Sequence, residues 1–342
     1  MTETILFICG SLNQTTMMHK IASQLRECDC FFTPFYADGI EDFAARMGWL
    51  HFTVLGGRHM RETKAYLEDN HLPVDYRGEK HAYDLVVTCS DLIVQKNIRG
   101  KRMVLVQEGI TEREGLIYQL VKWFKLPRYL ASTATTGISN AYDIFCVASH
   151  GYREHFIKKG VRPEKIAVSG IPNFDDLSGL CQSDFPLHDY VLVATSPLRE
   201  AFHRDDRTAF LQQCIRIANG RTMIFKLHPI ENVGRATQEI RRLIPEALVF
   251  TQGHVNHIIA NASVVITQQS TCTFVAIALG KEVYTNLDIN ELKRLMPIQN
   301  GGSSAQKIAE ISRRLLHIPL PVLEQVRKGY RPRPKLEQAD LF

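Results

Sequence analysis

No apolar run in this 342-residue chain is long enough to cross a membrane. No basic stretch precedes the first apolar run, at residues 5–9. Met1-Thr2-Glu3-Thr4 instead carries an acid, so the run is expected to be a first strand and not a signal peptide. There is no CxxC. Cys28 and Cys30 form CxC with no matching second pair, and the rest of the eight cysteines are scattered. That excludes a zinc-ribbon pattern and a disulfide framework, and leaves buried or free thiols. There is no GxGxxG, only a lone Gly10-Ser11 turn, so no dinucleotide fingerprint follows. Neither a short-period repeat nor a low-complexity block is present. Basic residues outnumber acidic ones by 41 to 36, for a net charge of +5. So mild an excess suits an anionic substrate or an anionic membrane surface. No nucleic-acid-reading motif accompanies it, so no nucleic-acid partner is expected.

What is present is alternation. Hydrophobic residues make up 45% and charged residues 23%, a globular balance, and the length suits two cores. Apolar runs at 5–9, 51–55, 84–88, 103–106, 144–148 and 166–168 read as strands, with amphipathic stretches such as 16–26 and 151–159 between them. Gly170-Ile171-Pro172-Asn173-Phe174-Asp175 breaks the pattern, and the loop-rich stretch to Pro186 reads as a linker. A second alternation follows, with strand runs at 190–194, 222–226, 247–250, 264–267 and 282–285 and helical patterns at 207–217 and 233–243. The expected architecture is α/β, with two doubly wound, Rossmann-like domains facing across a cleft. Residues 1–180 form the first, 186–305 the second, and 306–342 are C-terminal helices and a tail ending near Arg331-Pro332-Arg333-Pro334.

The second half carries the most telling residues. Lys226 closes a strand run, and His228-Pro229 follows at a corner that proline fixes. An imidazole there can donate to a phosphate oxygen or a ribose hydroxyl. Thr267-Gln268-Gln269-Ser270-Thr271 ends the next strand run but one and leads into a helical stretch that stops at Gly280. Ser270 and Thr271 are expected to cap that helix, whose free N–H groups attract an anion. Ser196-Pro197, after the strand at 190–194, is either a plain helix start or a phosphate contact, and the two readings are compatible. All these segments end at the rim of a sheet, where α/β proteins bind ligands.

The pairing of His-Pro with Gln-Gln-Ser-Thr, before a helix ending Ala-Leu-Gly-Lys-Glu-Val, resembles bacterial GT-B glycosyltransferases. It looks most like the capsule-polysaccharide group, which includes Kdo transferases and CMP-sialic acid-using sialyltransferases. The stretch 151–175 resembles the wider GT-B set, with its CDP-glycerol transferases and UDP-GlcNAc 2-epimerases. The resemblance implies that His228, Pro229, Ser270 and Thr271 hold the nucleotide and its phosphate; Lys226, Ser196 and Gln269, at the same strand ends, are expected to join them in binding substrate. It also implies an acidic-acidic-Gly motif in the first domain, one carboxylate being the general base. Glu108-Gly109 matches, whereas Gln107 departs from the first acidic position. In such an arrangement Gly10, Ser11 and Gly109 approach the sugar or its phosphates, and Gly56-Gly57-Arg58-His59 reaches toward the acceptor.

The expected activity is metal-independent transfer of a sugar, from a CMP-sugar such as Kdo or sialic acid, to a hydroxyl of a cell-surface glycan or glycolipid. Glu108 deprotonates the acceptor, and His228 with the lysine and hydroxyls steadies the leaving phosphate. No cofactor and no metal are expected. Asp175-Asp176 and Asp205-Asp206 are expected to be solvated pairs. Two alternatives stay open: a UDP-GlcNAc 2-epimerase-like enzyme, and a non-catalytic nucleotide-sugar-binding subunit. The protein is expected to be cytoplasmic, peripheral at the inner membrane if the stretch 116–128 docks there. In that stretch Leu116, Ile117, Leu120, Val121 and Phe124 share one helical face, Trp123 lies beside it, and Lys122, Lys125 and Arg128 flank it. Such a stripe is either a core face with a solvated basic side or a face for anionic lipid.

Overall fold

A computed structural model describes residues 2–329 except 51–52, 110, 112–113, 125, 178, 180–184, 201–202 and 269. The chain divides into two compact units, one formed by Met1–Asp175 with Pro297–Phe342 and the other by Asp176–Met296.

In the first unit the described strands are β1 (Thr4–Ile8), β2 (Asp29–Thr33), β3 (Leu85–Thr88), β4 (Arg102–Val106), β5 (Ile144–Val147) and β6 (Ile166–Val168). All pair in parallel, in the order β2-β1-β3-β4-β5-β6. The order reverses between β1 and β3, which creates a crevice at the carboxyl ends of those two strands. Strands such as Leu-Val-Val-Thr and Ile-Phe-Cys-Val are buried along their whole length, because helices cover both faces of a parallel sheet. The helices are α1 (Leu12–Ala22), α2 (Gly39–Arg46), α3 (Gly57–Asp69), α4 (Leu116–Phe124) and α5 (His150–Lys159). The local chemistry of α5 is plain in the sequence. The Ser149 hydroxyl accepts from the Tyr152 amide at its start, and Gly160, at φ +106, ends it in a left-handed turn.

Two elements differ from the sequence reading. The run at 51–55 is not a strand in its described part: Thr53 accepts from the Leu55 amide and donates to Leu50, closing a turn before α3. The edge strand is β2, the segment that holds the CxC. Phe32 sits opposite Phe7 in the ladder, and their rings stack at 5.3 Å. Burial pushes the Cys28 thiol up to about 11 and the Cys30 thiol to about 12, and both cysteines are free.

The second unit holds β7 (Tyr190–Ala194), β8 (Met223–Lys226), β9 (Leu248–Phe250), β10 (Ala262–Thr267) and β11 (Glu282–Tyr284). They are again parallel, in the order β11-β10-β7-β8-β9, so the order reverses between β7 and β10. Its helices are α6 (Arg207–Ala218), α7 (Val233–Leu243), α8 (Val255–Asn261), α9 (Cys272–Ala278) and α10 (Ile289–Leu295). Val191, Val193, Phe225 and Ile266 of the sheet pack with Leu211 of α6 and Ile240 of α7. No helix begins at Ser196-Pro197. The helix after β7 is α6, capped by the Asp206 carboxylate on the Ala209 amide.

From Pro297 the chain returns to the first unit with α11 (Ser304–His317) and α12 (Leu320–Arg327). Asp175 accepts from the Ser304 amide at 2.7 Å, and Arg327 grips Asp143 at 2.7 and 2.9 Å while Asp143 also accepts from the Met103 amide. Asp175 is thus buried and bonded rather than solvated. The stretch 331–334 lies outside the described residues. Among the described residues no helix is long and apolar enough to cross a membrane.

Candidate functional site

In the second unit, the residues after β7, β8 and β10 share one edge of the sheet, and the exits of β7 and β10 flank the point where strand order reverses. His228 follows β8 and is half-buried. Its carbonyl accepts from the Glu231 amide at 3.0 Å, a β-turn with Pro229 at the position that favours proline. The Glu231 carboxylate closes the turn from the other side by accepting from the His228 amide at 2.9 Å. The Ile230 amide donates to His228 Nδ1 at 3.4 Å, so in the neutral ring the proton sits on Nε2.

Glu231 is the residue that sequence reasoning missed. It is buried, accepts from the Thr195 hydroxyl, and pairs with Arg207 at 2.6 Å. Arg207 in turn pairs with Asp205, which pairs with Arg199 at 3.1 Å. The Asp205 side chain is fully buried, which corrects the expectation of a solvated acidic pair. The usable sequence signal was the turn itself: proline one position after His228 brings the fourth residue back against the first.

Lys226 ends β8 and is 8% exposed. Its ammonium donates to the Leu227 and Thr251 carbonyls at 3.4 and 3.2 Å. Burial pushes the Cys272 thiol up, against the pull of its bond to Ser270 and of the Lys226 charge. Lys226, Cys272 and Ser270 thus share one electrostatic neighbourhood, which links the exits of β8 and β10. Ser270 accepts from the Cys272 amide at 3.2 Å and caps α9 in that way. Thr271 is in helical conformation and makes no side-chain cap, contrary to expectation. Beneath that turn, Thr267 bonds Thr273 at 2.9 Å and Thr285 at 3.1 Å. Ser196 is buried just past β7, and Gln269 lies outside the described residues.

In the first unit Glu108 follows β4 and is half-buried. It accepts from Ser11 at 3.1 Å and Asn13 at 3.3 Å on one oxygen, and from Gln14 at 2.6 Å on the other. Ser11 also caps α1 by accepting from the Gln14 amide. The Gly10-Ser11 turn therefore serves Glu108. Asn13 is held by Asn173, which bonds its backbone and side-chain oxygens at 3.1 and 3.0 Å. The Glu108 charge also reaches Tyr36, Cys89 and His59. Burial holds the His59 imidazole below its usual range, and the Glu62 and Glu108 charges pull the other way. Asn13, Gln14 and Tyr36 carried no motif signal, and Asn173 stood in the 151–175 stretch without a role of its own; their convergence comes from topology.

The structure also explains Gln107. Its amide donates to the Gly109 carbonyl at 2.8 Å and accepts from the Ala148 amide at 2.9 Å. A carboxylate cannot donate, so an acid at 107 would face the Gly109 carbonyl with no proton between them.

A Cβ at Gly10 would lie 2.3 Å from Gln14 Oε1 and 3.3 Å from Tyr36. Gly10→Ala is therefore expected to turn Gln14 away from Glu108. We expect a stability loss of about 1 kcal/mol, the worth of a hydrogen bond, measured by thermal denaturation. A larger loss of any Glu108-dependent activity should accompany it.

No protein-family model matches the chain, and no curated protein matches it. Solved structures do. UDP-GlcNAc 2-epimerase from Neisseria meningitidis bound to UDP-GlcNAc aligns over 91% of this chain and 100% of its own, at 9% identity and a TM-score of 0.55. The wall teichoic acid polymerase TagF, soaked with CDPG, aligns over 92% and 88% at 10% identity and a TM-score of 0.52. The Methanocaldococcus jannaschii UDP-GlcNAc 2-epimerase, in complex with UDP-GlcNAc and UDP, aligns over 93% and 94% at 12% identity and a TM-score of 0.52. The fold is GT-B-like. At these identities the likeness is one of fold, and function rests on the site residues. The two Rossmann-like sheets of this GT-B-like chain place Glu108 at the carboxyl edge of one, and His228 and Ser270 at that of the other.

Proposed function

We propose that the protein is a glycosyltransferase that moves a sugar from a nucleotide-sugar to a hydroxyl of a glycan or lipid-linked acceptor, without a metal. The observation that carries this reading is the His228 corner. Pro229 and Glu231 fix it, and it stands at the sheet edge that also bears Ser270. A fixed imidazole at that edge suits a phosphate whose charge grows as the sugar leaves. Lys226 adds positive charge from a buried position, and Ser270 and Thr271 contribute hydroxyls. Glu108, steadied by three donors, takes the acceptor proton. The His-Pro and Ser-Thr blocks favour a CMP-sugar such as Kdo or sialic acid as donor, in a cytoplasmic reaction.

The solved epimerases of like fold favour a second reading, that of a sugar-nucleotide 2-epimerase. A thermal-shift series with CMP, UDP, CDP and GDP tests nucleotide binding first. A nucleotide held by the folded state at a hundred times its Kd adds about 2.7 kcal/mol of stability. We expect CMP to give the largest shift; no shift with any of the four would end both readings. Incubation with UDP-GlcNAc alone then separates them. Formation of the 2-epimer without an acceptor would replace transfer by epimerisation.

A further inference from the structure

The apolar stripe of α4 is not a core face. Tyr118 and Val121 point inward, whereas Leu116 (85% exposed), Ile117, Leu120, Trp123 (74%) and Phe124 (68%) face outward. Leu126 and Leu130 extend the surface. The eight-residue α2 has no buried residue at all, and it presents Ile40, Phe43 and Met47 to solvent, with Trp49 62% exposed just beyond it. Polar contacts anchor α2: Asp42 pairs with Arg77 and Arg46, and Asp38 accepts from the Lys96 amide at 2.6 Å. The Glu41 charge acts on Tyr129, in the segment after α4, which makes the two surfaces neighbours.

Three features say what covers this surface. Monomeric proteins rarely leave so many large apolar side chains together in water. The chain has two tryptophans, Trp49 and Trp123, and both lie here; tryptophan favours the boundary between headgroups and acyl chains. Residues 115–130 contain Lys122, Lys125 and Arg128 and no acid, and Asp42 of α2 is paired with Arg77 and Arg46, while Glu41 beside Tyr129 and Glu114 beside Tyr118 keep their charges. The basic residues of 115–130 suit an anionic surface. Both helices, moreover, follow strand exits at the sheet edge that bears Glu108: α2 follows Tyr36, which feels the Glu108 charge, and α4 follows Glu108 itself.

We infer that the α2–α4 face docks on the surface of an anionic lipid bilayer, with the two tryptophans and the outward leucines entering the headgroup boundary. Docked in this way, the Glu108 edge lies beside the membrane, where a lipid-linked acceptor presents its hydroxyl. The placement deepens the transfer reading, but its test requires neither nucleotide nor turnover.

The full chain is mixed with vesicles of phosphatidylcholine, with or without phosphatidylglycerol, and read by tryptophan emission and by co-sedimentation. We expect a blue shift and sedimentation with anionic vesicles, both weaker with neutral ones and at high salt. Leu120→Ser with Phe124→Ser alters exposed positions and should weaken binding by more than about tenfold, because two apolar anchors are lost. Circular dichroism should be unchanged. Unshifted wild-type emission with both vesicle types would overturn the inference, whatever any variant does. So would a double variant that binds vesicles as well as the wild type, or one that abolishes self-association of a wild type that ignores vesicles, for then a second copy covers this face.

Discussion

Glu231→Ala should destabilise the second unit by roughly 3–5 kcal/mol, because it removes the nearest of the carboxylates that balance the buried Arg207 charge. Both side chains are nearly sealed, at 1% and 5% exposure. Arg207 keeps Asp205 at 3.3 Å, a longer contact than the 2.6 Å pair it loses. The His228 amide and the Thr195 hydroxyl lose an acceptor at the same time. Calorimetry suits the measurement better than tryptophan emission, since Trp49 and Trp123 both belong to the first unit. Hydrogen exchange gives a local readout, with the His228 amide losing protection before the amides of β8 do. Removing both charges, as in Glu231→Leu with Arg207→Met, should recover much of the loss, because the double variant leaves no lone buried ion. The corner should stay loose all the same. Nucleotide-induced stabilisation should therefore remain low in the double variant even where its melting temperature recovers. Full recovery of both would show that Glu231 only balances Arg207 and does not position His228.

The alternation of apolar runs with helical stretches was enough to read two doubly wound sheets, because parallel strands are buried on both faces and stand out as continuous apolar runs. Edges were harder. The core of β2 is short, Cys-Phe-Phe between polar ends, and what secures it is its pairing with β1, which is invisible until the sheet is assembled. The run at 51–55 has similar composition but ends in Gly56-Gly57, and the Thr53 turn wins there. Periodicity showed that α4 is amphipathic but could not say which side faces the core. Tyr118 and Val121 took the inner side and left the broader apolar stripe outside. Charged pairs were the least legible part. Asp205 has the composition of a surface loop, yet it is sealed between Arg199 and Arg207, and only the fold brings Arg207 to Glu231 as well. Glu108 was read from a resemblance, and the three side chains that hold it come from one helix start whose Ser-x-Asn-Gln pattern is unremarkable alone.

Glu108→Gln should lower kcat by about a hundredfold to ten-thousandfold, the usual contribution of a positioned acid or base. The fold should barely notice. The Gln14 amide faces Glu108 at 2.6 Å, and a glutamine at 108 would set two N–H groups against each other until Gln14 turns its oxygen inward. That turn costs little beyond one weakened hydrogen bond, on the order of 1 kcal/mol. Nucleotide-induced stabilisation should be retained, because Glu108 belongs to the unit that lacks His228. His228→Ala should show the opposite pattern: the corner backbone persists through the Pro229 turn and the Glu231 carboxylate, but the donor to the leaving phosphate is gone. Turnover should fall, and the thermal shift with nucleotide should fall with it. The two variants therefore separate the roles, since one loses chemistry with binding intact and the other loses both. Wild-type turnover in Glu108→Gln would remove the base from the first unit, and an undiminished nucleotide shift in His228→Ala would remove the phosphate donor from the second.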